Sequence, residues 1–301
     1  MTEDLSAKKI YGLIGYPVKH SLSSAMHNTA FRHLNIDAEY RLFEVSPDKL
    51  EEFLLSSDKI FEDTKGDPIR AGDVLGFNIT IPHKVPALIR NVAIVTCPEV
   101  LLAGAVNTVK RDNGKLRYRN TDSSGFMRSL REDVGFNTED KTILIFGCGG
   151  AGRALVAGLT QSGTGIKKIY LYDANAEVAK STAKHFSAFD SVKNKLEFIY
   201  VGHIPDKIKE CALLVNASPI GMEEDDGSVI DRGLLHDKLV VYDVVYNRQT
   251  QLIRDAKSLG LKAVNGLGML LYQGVDAFEF WTEQKAPVEV MRKALMEATK
   301  K

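Results

Sequence analysis

The sequence predicts an α/β protein of two domains, an N-terminal α/β domain followed by a doubly wound parallel sheet. Three observations predict it. Residues Thr142 to Leu159 read as an apolar strand, a glycine turn and a helix. Strand and helix patterns then alternate as far as Asn265, which is how a parallel sheet covered by helices on both faces is written. A chain of 301 residues, 44% hydrophobic and 26% charged, is long enough for two domains of ordinary size.

The glycine turn is the most informative stretch. Ile143 to Phe146 form a short apolar run that stops at Gly147 and gives way to the helix-compatible Ala151, Ala154, Leu155, Ala157 and Leu159. Gly147, Gly149 and Gly152 have the spacing in which the first permits the turn, the second admits a pyrophosphate and the third lets helix pack on strand. Gly150 and Ala151 lie at the start of the helix, whose N–H groups and positive dipole end suit phosphate. A second strand, Lys168 to Tyr172, ends in Asp173, about 20 residues past the glycines, where an acid accepts from a ribose 2′-hydroxyl. This context makes the domain Rossmann-type and dinucleotide-binding. A carboxylate repels a 2′-phosphate, and Ala174 to Val178 supply no Arg or Lys to hold one, so NAD is expected rather than NADP. The structural alternative is that Asp173 caps the helix from Ala176.

Upstream, Ile10 to Gly15 reads as a strand, and Ser23 and Ser24 sit where it passes into a helix, Ala25 to Leu34. Those serines serve either a ligand or the helix as caps. Glu39 to Val45 is a second strand, followed by Ser46-Pro47 opening a helix, and Ser56 to Asp73 reads as an exposed loop. Val74 to Ile79 is a third strand, ending at Thr80. Pro82 then suits the first turn of a short helix to about Arg90, which would place Lys84 at a positive dipole end, as a solvated charge or a tuned acid/base. Asn113-Gly114 marks a hairpin returning along Lys115 to Arg119. Asp122 opens the helix Ser123 to Val134, where capping is its bland role. Beyond Asp173 follow a helix (Ala176 to Phe186), strands at Leu196 to Val201 and Leu213 to Asn216 with Pro205 to Cys211 helical between them, then the strand Leu239 to Val245. Ala217 to Met222 is a loop at a strand's carboxyl end, where ligands bind in open α/β sheets. The expected boundaries are 1–122 for the substrate-binding, catalytic domain and 123–268 for the dinucleotide domain, with the helices of 269–301 packing back on the first.

Lysine plus arginine equal aspartate plus glutamate at 39 each, so no net field draws the chain to nucleic acid or anionic membrane. No apolar run approaches a membrane span, the N-terminus lacks a signal-peptide core, and a cytoplasmic protein is expected. Cys97, Cys148 and Cys211 have neither metal nor redox-pair spacing, so buried reduced thiols and no metal site are expected. A homodimer is left open.

Seven segments in order, HSLSxxMHN at His20 to Asn28, NITIPHK at Asn78 to Lys84, GAVNT at Gly104 to Thr108, NTD at Asn120 to Asp122, GCGGAG at Gly147 to Gly152, NASPIGM at Asn216 to Met222 and GLGMLLYQG at Gly266 to Gly274, resemble the shikimate dehydrogenase family, including its quinate/shikimate branch. The resemblance spans nearly the whole chain. It implies that Ser21, Ser23, Thr80, Asn107, Gln273 and Tyr246 hold a small polyol carboxylic acid, shikimate or quinate, and that Lys84 and Asp122 are the catalytic pair. It also implies Ser218, Met222 and Gly266 as dinucleotide contacts beside the glycine turn. The implied reaction is hydride transfer between the ring alcohol and its 3-dehydro ketone. Three departures stand out: Ser24 where the family commonly has proline, Asp173-Ala174-Asn175 where NADP-using members commonly read Asn-Arg-Thr, and Tyr246 to Thr250 without the family's proline. The rival readings are an NADP-dependent shikimate dehydrogenase of aromatic amino-acid biosynthesis and, from another class, a non-catalytic sensor of a dinucleotide or shikimate-type ligand.

Overall fold

A computed structural model describes residues 8–88, 94–161 and 163–300. The chain forms two compact units, one of Met1–Leu101, Ala105–Thr121 and Gln273–Lys301, the other of Leu102–Gly104 and Asp122–Tyr272.

In the first unit the elements run β1 (Lys9–Gly15), α1 (Ser23–His33), β2 (Ala38–Glu44), α2 (Leu50–Leu55), β3 (Ile60–Glu62), β4 (Pro68–Arg70), β5 (Val74–Ile79), β6 (Ile94–Val95), α3 (Pro98–Ala103), β7 (Thr108–Asp112) and β8 (Lys115–Arg119). The six-stranded sheet has the order β2-β1-β5-β7-β8-β6. Its pairs are parallel from β2 to β5 and antiparallel through β7 and β8. The β7–β8 turn is Asn113-Gly114, both at positive φ, as a two-residue hairpin with the right-handed strand twist requires. One face of the sheet buries Ile10, Ile14, Phe43, Phe77, Ile79 and Val109 with Phe53 of α2.

The second unit continues with α4 (Thr121–Glu132), β9 (Thr142–Phe146), α5 (Gly150–Thr160), β10 (Lys168–Tyr172), α6 (Ala176–Phe186), α7 (Asp190–Lys193), β11 (Leu196–Phe198), α8 (Ile204–Lys207), β12 (Leu213–Asn216), β13 (Val240–Asp243), α9 (Gln251–Ser258) and β14 (Ala263–Asn265). Helices α10 (Leu267–Thr282) and α11 (Val288–Ala298) close the chain. The second sheet has the order β11-β10-β9-β12-β13-β14, every pair parallel. Alternate strand residues go to opposite cores. Ile143, Ile145, Ile169, Leu171, Leu213 and Val215 pack with Phe126, Leu155, Leu159 and Phe186, while Leu144, Phe146, Tyr170, Leu214 and Val241 pack with Ile208, Leu252, Ile253 and Ala256. Both faces are therefore covered by helices, as a continuous apolar strand demands. No helix among the described residues is long and apolar enough to cross a membrane.

Three local expectations change. Residues 81–88 form turns instead of a helix, because Pro86, four residues after Pro82, lacks the N–H that a helix would need there and its ring would strike the preceding turn. The expected end of that helix at Arg90 lies outside the described residues. The Ser56 to Asp73 stretch contains the β3–β4 hairpin, whose turn is tied by Asp63 Oδ1 accepting from the N–H groups of Lys65 (2.8 Å) and Asp67 (3.1 Å). The helix expected over Pro205 to Cys211 is shorter, α8 passing into a 3₁₀ turn at Ile208–Glu210.

The three cysteines are unbonded, Cys97 half-buried in the first unit, Cys148 and Cys211 buried in the second. Burial pushes their thiols up, to about 11 for Cys97 and about 12 for the other two.

The other face of the first sheet holds a buried histidine among aromatic rings. His27 of α1 stacks on Tyr40 at 4.5 Å and lies near Trp281 (5.3 Å) and Phe278 (6.4 Å) of α10, and neither ring nitrogen has a hydrogen-bond partner. Burial pushes its imidazole from 6.5 down to about 3, so the folded state holds it neutral. The unfolded chain takes up a proton there below about pH 6.5 that the folded chain refuses, so stability is lost as pH falls from 6.5 toward 3, by up to about 1.4 kcal/mol per pH unit. Urea midpoints measured across that range are expected to fall more steeply for the natural chain than for His27→Phe. Parallel slopes would contradict a neutral, buried imidazole.

Candidate active site

The glycine turn stands at the carboxyl end of β9. Gly147 has φ of 103° and donates its N–H to Tyr172 O at 2.8 Å, which draws the turn against the end of β10. A Cβ on Gly152 would lie 1.9 Å from Gly147 O, so α5 comes down on the strand at a distance that no other residue permits. Gly149 is the N-cap of α5 and no side chain caps the helix. A Cβ built on Gly149 would meet nothing within 4 Å, so the approach to the N–H groups of Gly150, Ala151 and Gly152 is open. Open amides at the positive end of a helix suit a pyrophosphate.

Asp173 follows directly on β10. Its Oδ2 accepts from the Cys148 N–H at 2.7 Å and its Oδ1 from the Asn175 N–H at 2.8 Å, which fixes the carboxylate beside the turn. The cap of α6 is Asn175, whose side chain accepts from the Glu177 and Val178 N–H groups. Of the two roles that the sequence leaves to Asp173, the capping one is therefore filled by its neighbour. These features fit the adenosine and pyrophosphate of a dinucleotide.

Farther along the same sheet edge, β12 and β13 end side by side in Asn216 and Asp243. The Asn216 amide donates to Asp243 Oδ1 (2.9 Å) and to Ile220 O (2.9 Å), and its Oδ1 accepts from the Ser218 N–H (3.1 Å) and hydroxyl (2.7 Å). Asp243 also accepts from the Val245 N–H (3.1 Å) and, through Oδ2, from the Thr250 hydroxyl (2.6 Å). It is wholly buried, and desolvation outweighs these donors, pushing its carboxyl from 3.8 up to about 6. Met222 is exposed on the loop that Ser218 begins, Tyr246 is half-buried, and Gly266 is buried, donating to Val245 O at 3.3 Å.

In the first unit, the segments after β1 and β5 run together. The Thr80 N–H donates to Ile14 O (2.9 Å) and the Tyr16 N–H to Ile81 O (3.0 Å). The half-buried Ser21 accepts through Oγ from the Ser23 N–H at 3.3 Å, and α1 has no side-chain cap, so neither Ser23 nor Ser24 is spent as one. Lys84 is half-buried, and its carbonyl accepts from the Val106 N–H at 2.7 Å, joining it to the segment of Asn107. Buried Asn107 is held in turn by Thr121: its Nδ2 donates to the Thr121 hydroxyl (3.0 Å) and its Oδ1 accepts from the Thr121 N–H (2.7 Å). Gln273 is buried on α10, where neighbouring Gly274 packs against Met26 of α1. Thus Ser21, Ser23, Thr80, Lys84, Asn107 and Gln273 all lie in the first unit. Asp122 is buried in the first turn of α4, and with Tyr246 belongs to the second unit.

Residues 13–109 match the model of the shikimate dehydrogenase substrate binding domain, and residues 266–296 that of the shikimate 5′-dehydrogenase C-terminal domain. A shikimate dehydrogenase (NADP(+)) of Methanopyrus kandleri is 37% identical over 297 residues, covering 96% of this chain and 95% of that protein. The chain belongs to the shikimate dehydrogenase family. Family membership makes it an oxidoreductase that acts on a CH–OH group with a nicotinamide dinucleotide. The Aquifex aeolicus shikimate dehydrogenase structure superposes with a TM-score of 0.81 at 32% identity, covering 95% of this chain and 97% of that one. The Listeria monocytogenes shikimate 5-dehydrogenase, solved in complex with shikimate and NAD, superposes at 0.79 with 30% identity, covering 97% and 98%.

Sequence reasoning missed the Asn216–Asp243–Thr250 network, although both strands visibly end in polar residues after apolar runs. The buried carboxyl has a measurable consequence. Because its folded value is raised, its ionisation weakens the fold, a penalty absent below about pH 4 and complete above about pH 6, amounting to about 3 kcal/mol. Asp243→Asn carries no ionisable group, so its stability relative to the natural chain is expected to improve as pH rises from 4 to 6. A difference that stays constant over that interval would place the Asp243 carboxyl at an ordinary value.

Proposed function

We propose that this chain interconverts shikimate, its saturated relative quinate, or both with the 3-dehydro ketone, and that its dinucleotide is NAD. The observation that carries the reading is the pairing, on one chain, of an open glycine turn with a first unit that gathers hydroxyl, amide and amine side chains suited to a small polyol acid. The Listeria relative, holding shikimate with NAD, supports both parts.

The nicotinamide ring, when bound, supplies or accepts the hydride. The residues of this chain do the rest. Ser21 and Ser23 present hydroxyls to the carboxylate of the acid, and Thr80, Asn107, Gln273 and Tyr246 hold its ring hydroxyls. Lys84 Nζ takes the hydroxyl proton as the alcohol becomes a ketone and returns it to the alkoxide in reverse. Asp122 accepts a hydrogen bond from the reacting hydroxyl and keeps it oriented. Removing a group that moves a proton costs about 10² to 10⁴ in rate. Lys84→Ala is expected to lower kcat within that range with a modest change in KM, measured by steady-state kinetics; near-normal kcat would remove Lys84 from the mechanism.

The cofactor preference rests on Asp173. A carboxylate fixed by two amides accepts from a 2′-hydroxyl and opposes a 2′-phosphate, and Ala174 and Asn175 offer no cation. The second reading, NADP, is favoured by the relatives of Methanopyrus kandleri and Desulforamulus reducens, both shikimate dehydrogenase (NADP(+)), and by a relative's structure solved with NADP+. Initial rates with shikimate and with quinate, each tested with NAD and NADP, decide between them. Higher kcat/KM with NAD is expected. A preference for NADP would mean that a 2′-phosphate is held away from Asp173.

A further inference from the structure

The carboxyl edge of the second sheet is divided at the point where strand order reverses. Strands β9, β10 and β11 lie on one side and β12, β13 and β14 on the other, an arrangement in which a dinucleotide lies across the boundary. The glycine turn and Asp173 belong to the first half. The second half carries two loops, 217–222 after β12 and 244–250 after β13, with no backbone ladder of their own.

Both loops close onto one buried centre. Asn216 uses every hydrogen-bonding position of its amide, two to hold Ser218, one to hold Ile220 and one to reach Asp243. Asp243 gathers Val245 and Thr250 from the other loop. Thr250 also touches the first loop directly: Gly221, at φ of 103°, approaches so closely that a Cβ there would lie 2.7 Å from Thr250 Cγ2. Thr250 in turn caps α9 by accepting from the Ile253 N–H. A wholly buried carboxyl is costly to keep in a fold, and Asn216, Asp243 and Thr250 are themselves too buried to meet a ligand.

We propose that Asp243, with Asn216 and Thr250, is a positioning centre that holds the two loops at the spacing needed by the nicotinamide half of the dinucleotide. The proposal rests on the dinucleotide reading above. The centre acts through Ser218, Met222 and Tyr246, and leaves the adenosine half to the glycine turn and Asp173. Thr250→Val keeps the methyl against Gly221 and removes the hydroxyl donor to Asp243, whereas Thr250→Ser keeps the donor.

Isothermal titration of the dinucleotide that proves active, and of its fragment without nicotinamide (ADP-ribose or its 2′-phosphate), tests this. For Thr250→Val the dinucleotide Kd is expected to rise about tenfold while the fragment Kd stays within about twofold, and Thr250→Ser restores the dinucleotide. Asp243→Asn, which leaves the α9 cap in place, should show the same selective loss. Equal loss of both ligands, or loss of neither in a folded variant, would overturn the proposal by making the centre purely structural. A natural chain that binds neither ligand would overturn the dinucleotide reading itself, and the proposal with it.

Discussion

The approach of Gly152 to the carbonyl of Gly147 is the constraint on which the second unit depends. With 1.9 Å available where a Cβ would stand, the first turn of α5 is pressed onto the end of β9. That contact sets the angle at which α5 leaves the sheet and delivers Leu155 and Leu159 into the core shared with Ile143 and Ile145. The helix N-terminus beside it stays open, because the N-cap is Gly149, which has no side chain to cap the first N–H groups and open space around it. Two nearby glycines therefore serve packing and phosphate recognition. The Gly147 N–H bond to Tyr172 O extends the constraint to β10 and so to the position of Asp173.

The first unit solves a different problem, that of placing polar groups inside a sheet. Asn78, at the end region of β5, accepts from the Tyr40 hydroxyl and donates to Asn107 O and the Thr108 hydroxyl. Asn107 bonds Thr121, which begins α4. Buried amides and hydroxyls of this kind are satisfied by one another and so have one acceptable arrangement. The segment from β5 through β7 to Thr121 is thereby tied by polar bonds as well as by the core that holds Ile79, Val106 and Val109. This network holds Asn107 and Thr121, the first residue of α4, in definite places, while Lys84 is tied to the same segment through its carbonyl and the Val106 N–H.

Local chemistry was legible from the sequence wherever a residue's role depends on its near neighbours. The bounds of the strands Val74–Ile79, Lys115–Arg119, Lys168–Tyr172 and Leu213–Asn216 follow from short apolar or alternating runs stopped by turn residues. The Asn113-Gly114 hairpin and the turn at Gly147 follow from φ values that most residues resist, and Gly152 from a close approach that any Cβ would block. Family motifs then supplied the candidate substrate residues, which periodicity alone could not. What was hidden depends on distance along the chain. Asn216 and Asp243 are 27 residues apart, and only strand order makes them neighbours. At 81–88 Pro82 suits a helix start while Pro86 forbids its continuation, and the chain takes turns there. Asp173 is not the cap of α6, because Asn175 fills that place two residues on.

The distribution of cysteines gives each unit a built-in chemical clock. Cys97 belongs to the first unit and Cys148 and Cys211 to the second, all unbonded. With thiols raised to about 12, only about one in 10⁴ of the two buried groups is ionised at pH 8 even before access is considered. Alkylating reagents react with the thiolate, so labelling of Cys148 or Cys211 reports opening of the second unit, and labelling of Cys97 reports opening around β8, whose Tyr118 carbonyl accepts from its sulfur. The native chain thus carries separate reporters of local unfolding without any engineered probe.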